Sequence, residues 1–131
     1  MVLLILISEF KIPFVGEVGS MYKIIKKTNN GWEVHEVVGS DTISLVKYSA
    51  NHQDINKLIE VLQLLYKNKV VEGSIDMNLA MQDEYLQELS IGAYQFIINL
   101  DFWETFIFYP KQKDGNSYVM KVFEKLATDT N

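Results

Sequence analysis

Few residues in this chain are of the types that carry out chemistry, and their spacing completes no catalytic set. The chain has two histidines, His35 and His52, and no cysteine. The lack of cysteine excludes disulfides, thiolate nucleophiles and cysteine-bound zinc. His52 with Asp54 supplies at most half of a metal site, because the sequence offers no spaced third ligand. No serine lies in a nucleophile-elbow motif. We therefore predict no catalytic residues, no metal and no cofactor.

Carboxylates near a histidine are the remaining route to acid–base chemistry. Glu33 and His35 are two positions apart, and Glu104 follows an aromatic stretch. If the protein is a small enzyme or a small-molecule-binding domain, these three are the candidate acid–base residues. Its pocket is then expected between the sheet and the helices, lined by the many aromatic residues.

Charge is distributed very unevenly along the chain. Residues 70–110 contain seven acids and no base, a formal charge of −7. Residues 1–69 and residues 111–131 each carry a net charge of +1, which gives the overall −5. All twelve basic residues are lysines, and an acidic chain without arginine is a poor candidate for binding nucleic acid. Such a segment can instead steer a basic partner towards it.

We predict that a basic protein partner contacts this segment, with no direct contact to nucleic acid or membrane. Aromatic residues at the rim of an acidic surface are natural binding anchors. The predicted contact residues are the seven acids with two of these aromatics: Glu72, Asp76, Asp83, Glu84, Tyr85, Glu88, Asp101, Trp103 and Glu104.

The general character of the chain favours a binding protein over an enzyme. In size, acidity and lack of cysteine it resembles the small cytoplasmic immunity proteins that bacteria carry beside toxins. This resemblance is one of composition only, and no sequence motif supports it. The resemblance implies a cytoplasmic inhibitor that neutralises a basic, nuclease-like toxin by protein–protein contact. A third interpretation is a structural subunit or homo-oligomer that buries surplus apolar surface of its first helix. The sequence does not predict the oligomeric state.

The elements that must position these residues follow from hydrophobic patterning. Residues 2–7 form an apolar run, too short for a signal peptide or a membrane span, which predicts a buried strand. Asn30-Gly31 between residues 21–27 and 32–38 predicts a hairpin, and residues 42–48 a third strand. Residues 70–79 are ambiguous, and residues 81–89 are compatible with a short helix. Residues 93–110, which contain seven of the sixteen aromatic residues, predict two central strands joined near Asn99 to Asp101.

Two segments show the period of amphipathic helices, at about residues 53–68 and 117–127. Asn51 is the expected N-cap of the first, with Asp54 completing a capping box. The order of the elements predicts an α+β fold, a mostly antiparallel β-sheet with these two main helices packed on it. At 131 residues the chain is expected to be a single domain, residues 1–131.

Overall fold

The computed structural model describes residues 22–75 and 84–128. Within these residues the fold is α+β, as predicted, with one antiparallel sheet in the strand order β1-β2-β3-β7-β6-β5-β4. Its strands are β1 (Tyr22–Lys27), β2 (Glu33–Val37), β3 (Ile43–Lys47), β4 (Val70–Ile75), β5 (Tyr85–Ile91), β6 (Tyr94–Leu100) and β7 (Phe106–Pro110). The predicted strand at residues 2–7 lies outside the described residues.

Glycines with positive φ lie in the two turns that connect β1, β2 and β3. Gly31 has φ of 95° in the β1–β2 hairpin, and Gly39 has φ of 87° between β2 and β3. These left-handed conformations favour glycine, and Gly31 lies in the hairpin that the sequence predicts. Leu45 of β3 belongs to the core cluster, Ile43 packs against it, and Lys47 on the same face of the strand pairs with Asp54.

Helix α1 (His52–Tyr66) begins where the sequence predicts. The Asn51 side chain accepts a hydrogen bond from the Gln53 N–H at 2.9 Å, and the Asp54 carboxylate accepts one from the Asn51 N–H at 2.9 Å. Asp54 also pairs with Lys47 of β3 at 2.6 Å, so the cap ties the helix to the sheet. Helix α2 (Asn116–Thr128) closes the described fold and matches the second predicted helix.

Residues 85–89 form a strand, so the suggested short helix at 81–89 is wrong over that part; residues 81–83 lie outside the described residues. β5 pairs with β4 on one side and with β6 along its full length on the other. Gln87, Leu89 and Ile91 alternate towards the core with the period of a strand. Two-sided pairing overrides the local helical pattern.

The core lies between the sheet and the two helices. Phe96, Phe106 and Phe108 from the central strands β6 and β7 are fully buried there. The Phe96 and Phe108 rings stack with centroids 5.2 Å apart. The aromatic residues of these strands therefore pack the interior, and helix residues complete it: Ile55, Leu58, Val61, Leu62, Val119, Val122, Phe123 and Leu126.

One end of the sheet brings together the ends of several strands and the start of α1. Leu100 at the end of β6 pairs with Tyr85 at the start of β5 and with Phe106 at the start of β7. β3 ends beside β7, and α1 begins shortly after it. β4 ends and β5 begins at this same end. We call the described part of this region the acidic end: Glu84, Tyr85 and residues 101–105.

Candidate functional site

A single aspartate organises the turn between β6 and β7. The Asp101 carboxylate accepts hydrogen bonds from the backbone N–H of Trp103 at 2.9 Å and of Thr105 at 3.0 Å. The Asp101 carbonyl accepts a third from the Glu104 N–H at 3.0 Å. Glu104 takes a left-handed conformation with φ of 67°. The turn is thus fixed by Asp101 and by backbone geometry.

The two aromatic residues of this turn point into solvent. Trp103 is 76% exposed and Phe102 is 58% exposed, with ring centroids 5.5 Å apart in an edge-to-face arrangement. The sequence singles out Trp103 but misses Phe102, because it places the connection near Asn99 to Asp101. The strand β6 continues to Leu100, which moves the turn to residues 101–105 and carries both rings out of the sheet.

Asp101 is a predicted contact residue whose surroundings give it a structural task. Its carboxylate is partly buried, and this desolvation raises its pKa above the usual range, against the lowering effect of the two backbone N–H donors. Burial disfavours the charged form, whereas hydrogen bonds from N–H groups favour it. Asp101 therefore stabilises the turn from a partly buried position. The exposed groups beside it are Phe102, Trp103 and Glu104.

The turn is attached to neighbouring elements. The Ala50 N–H, just before α1, donates to the Glu104 carbonyl at 2.8 Å. The first residue of α1, His52, contacts the first residue of β5, Tyr85, with ring centroids 5.6 Å apart and nearly perpendicular planes. The acidic end is thereby held to both the helix and the sheet.

Glu72 and Tyr85 meet through a buried glutamine. The Tyr85 hydroxyl donates to the Gln87 side-chain oxygen, and the Gln87 amide donates to the Glu72 carboxylate at 3.1 Å. Gln87 is only 2% exposed, so both of its partners satisfy a group that would be costly to bury alone. Sequence reasoning did not single out Gln87, since its alternation with Leu89 and Ile91 emerges only once β5 is a strand.

The remaining predicted contact residues separate into two groups. Glu88 lies on the opposite face of β5 and pairs with Lys111 at 3.3 Å, so a lysine from outside the acidic segment partly neutralises it. Within the described residues no lysine lies within 4.0 Å of the carboxylates of Glu72, Glu84 or Glu104. Asp76 and Asp83 lie outside the described residues, in the connection that ends at Glu84.

A separate cluster contains the candidate acid–base pair. His35 Nε2 lies 2.7 Å from a carboxylate oxygen of Glu33, and the ring stacks on Tyr22 with centroids 4.5 Å apart. Tyr48 lies beside His35, and its hydroxyl hydrogen-bonds to that of Tyr22 at 3.4 Å. His35 is 4% exposed, and burial lowers its pKa below 6.5. No contact joins Glu104 to this cluster within the described residues.

Other kinds of site find little support in the part of the chain that the structure describes. It contains no group of three or more histidine and acidic side chains that could hold a metal ion. A shallow depression is lined by the α1 residues Gln53, Asn56, Lys57 and Glu60. Neither described helix is long and apolar enough to cross a membrane.

Comparison of the chain with protein-family models, with curated proteins and with solved structures found no match.

Proposed function

We propose that this chain is a small binding protein of the immunity type, which neutralises a basic, nuclease-like toxin through protein–protein contact in the bacterial cytoplasm. The acidic end is the proposed contact surface. The observation that carries the proposal is the exposed pair Phe102 and Trp103, held on a fixed turn beside carboxylates that no lysine of the described residues neutralises.

The aromatic pair is suited to anchor a partner. Large aromatic residues supply much of the energy of protein interfaces, and burying one such side chain contributes roughly 1.5–3 kcal/mol. Because Asp101 fixes the backbone of the turn, little conformational freedom of the backbone is lost when a partner closes over the rings.

The charges around the pair favour a basic partner. Glu84 and Glu104 are without a lysine within ion-pairing distance among the described residues, and the segment around them carries −7. An uncompensated field of one sign raises the association rate of an oppositely charged partner and gives that rate a strong salt dependence. This arrangement supports selection of a basic toxin over a neutral or acidic protein.

The proposal predicts that a basic toxin is encoded next to this gene, and that protein serves as the binding partner in the test. We expect the double variant Glu84→Lys, Glu104→Lys to slow association about tenfold or more at low salt, with a smaller effect at high salt. Trp103→Ala should raise the dissociation rate about 30-fold, the equivalent of about 2 kcal/mol. Rapid-mixing or surface-based kinetics measures both rates.

Glu36→Lys is the charge control for the single variant Glu84→Lys, because both change the charge equally and Glu36 is an exposed carboxylate at the end of β2 away from the acidic end. Association rates that respond equally to Glu36→Lys and Glu84→Lys would show that net charge alone matters. A neighbouring protein that does not bind the wild-type chain, or that binds Trp103→Ala equally well, contradicts the proposal.

A further inference from the structure

Four lysines lie at the end of the sheet opposite the acidic end. β4 begins and β5 ends there, β6 begins beside the end of β5, and β7 ends there too. We call this region the lysine end: residues 66–69, 92–94 and 111–114. It contains four lysines and one acid, a formal charge of +3. All four lysines are exposed: Lys67, Lys69, Lys111 and Lys113.

Little of this positive charge is neutralised within the molecule. Lys111 pairs with Glu88 at 3.3 Å. Among the described residues no carboxylate lies within 4.0 Å of the ammonium groups of the other three lysines. The lysine end is therefore as uncompensated in positive charge as the acidic end is in negative charge.

Lys67 has a backbone conformation that favours glycine. Its φ is 47° and its ψ is −119°, at the C-cap of α1. A side chain in such a conformation has an energetic cost, and residues of this kind cluster at functional sites. The Gly92 N–H donates to the Lys69 carbonyl at 3.0 Å, which fixes this segment to the β5–β6 turn. The fold thus holds a lysine on the exposed surface at a position where glycine would cost less.

Three tyrosines give the lysine end an aromatic surface. The ring centroid of Tyr118 in α2 lies 5.0 Å from that of Tyr66 at the end of α1 and 5.4 Å from that of Tyr94 at the start of β6. All three side chains are half-buried, so part of each remains accessible to solvent. The two ends of the sheet therefore carry opposite charges and both present aromatic residues.

The two ends are far enough apart to act separately. β6 runs from Tyr94 at the lysine end to Leu100 at the acidic end, about 20 Å for a strand of this length. At about 0.1 M salt the Debye length is about 10 Å, so charges at one end are largely screened from those at the other. Unlike ends of two molecules that meet therefore attract each other, although each molecule carries a net charge of −5.

We propose that the lysine end binds the acidic end of a second copy of this chain, so that molecules associate head to tail. The lysines meet Glu84 and Glu104, which have no lysine partner among the described residues of their own molecule. Phe102 and Trp103 pack on the tyrosines and present their rings to the ammonium groups. A contact between unlike surfaces leaves one free end on each side, so pairs extend to short chains as concentration rises. The proposal concerns the protein alone and does not depend on the proposed function.

The first test is sedimentation velocity of the full-length protein over a range of concentrations. We expect the average sedimentation coefficient to rise with concentration at about 0.1 M salt. Association should weaken about tenfold or more at about 1 M salt, where the Debye length is only about 3 Å. A coefficient that stays constant up to millimolar protein, or association that salt leaves unchanged, overturns the proposal.

The second test reverses the charge of one end at a time. One double variant is Lys67→Glu, Lys69→Glu, and the other is Glu84→Lys, Glu104→Lys. Each variant alone should self-associate about tenfold or more weakly than wild type, because like charges then meet. A 1:1 mixture should restore association, since one intact lysine end and one intact acidic end remain. A variant that alone associates as wild type does would reveal a contact between identical ends and would contradict the proposal.

Net charge does not account for this expected result. Each substitution changes the charge by two units, so the wild-type −5 becomes −9 in the first variant and −1 in the second. Both are negative, and only the ends are complementary. Lys23→Glu, Lys26→Glu is the matched control, because it also gives −9 and both residues are exposed on the edge strand β1. Circular dichroism establishes that each variant is folded. A control that loses association equally, or a mixture that stays monomeric, overturns the head-to-tail contact.

Discussion

Asp101 holds the β6–β7 turn in place, although the neighbouring aromatic residues are the more conspicuous part of the sequence. Its carboxylate serves two backbone N–H groups that the strands leave unpaired. The bond to the Thr105 N–H is partly buried and the bond to the Trp103 N–H is exposed, so loss of the acceptor costs towards the lower end of about 1–3 kcal/mol. The charge of this residue matters less to folding than its oxygen atom, because burial already disfavours the ionised form.

Asp101→Ala should therefore lower the free energy of unfolding by about 1–2 kcal/mol, because both N–H groups lose their acceptor. Asp101→Asn keeps an oxygen in place and should stay within about 0.5 kcal/mol of wild type. Trp103→Ala should also change stability by no more than about 0.5 kcal/mol, since the ring is mostly exposed. Urea denaturation measures all three. A large loss in Trp103→Ala would mean that the ring packs within the fold.

His35 makes stability depend on pH. Burial, the largest effect, lowers its pKa in the folded protein below 6.5, and nearby Lys27 acts in the same direction, while Glu33 opposes both. Tyr22 and Tyr48 are the other titratable groups against the ring. The folded state then binds the proton less readily than the unfolded state. Stability is fully present above the unfolded pKa and is lost as the pH falls below it.

Between about pH 7.5 and 5.5, wild type should lose up to about 1.4 kcal/mol more stability than His35→Gln, which has no imidazole at this position. Urea titrations of both proteins at the two pH values give the difference, and other titrating groups cancel in the comparison. Equal pH dependence of the two proteins would show that His35 accepts a proton in the folded state as readily as in the unfolded state.

At the level of the element, helix α1 was predictable because its signals are local. Asn51 and Asp54 lie three residues apart, and each caps the backbone of the other. Asn51→Ala should lower the free energy of unfolding by about 1 kcal/mol through loss of the N-cap acceptor. Asn56→Ala, an exposed position within the helix, should be neutral or slightly stabilising because alanine favours helix. Thermal or urea unfolding compares the two, and an equal loss in both would argue against a capping effect.

Strand β5 was not predictable from its own residues. Its pattern of Tyr85, Leu86 and Leu89 is compatible with one side of a helix, and the pairing that makes it a strand comes from β4 and β6. The burial of Gln87 could not be predicted for the same reason, because its hydrogen-bond partners lie on β4 and on β5. Asn99 has the composition of a turn residue, which places the predicted connection too early in the chain. In the structure its side chain donates to the Tyr85 carbonyl at 2.9 Å.

For the whole molecule, the order of the strands is a feature that the sequence did not provide. Composition and turn spacing predicted a mostly antiparallel α+β fold, and the structure agrees. The neighbours of each strand depend on packing between residues far apart in the chain, such as β3 against β7. Likewise, the acidic segment is contiguous in sequence, but the fold turns Glu88 to one face and leaves Glu104 on the turn.

The strand order predicts a gradient of backbone protection. β6 and β7 are paired on both sides, whereas β1 and β4 are edge strands with irregular registers between Ile24 and Lys26 and between Glu72 and Ile75. Amides of Ile98 and Phe108 should exchange with deuterium most slowly, and those of β1 and β4 at least tenfold faster. Exchange followed by NMR resolves these positions. Edge amides as protected as Ile98 would indicate that another strand covers that edge.

The bonds that hold the β6–β7 turn have a consequence for how such a protein can change over time. Asp101 and the backbone stabilise the turn, and Phe102 and Trp103 contribute little to that task. Substitutions at these two positions can therefore accumulate without a penalty in folding. On the proposed function, a change in the surface of the toxin would be matched by exchanging these two side chains while the rest of the sheet stays the same.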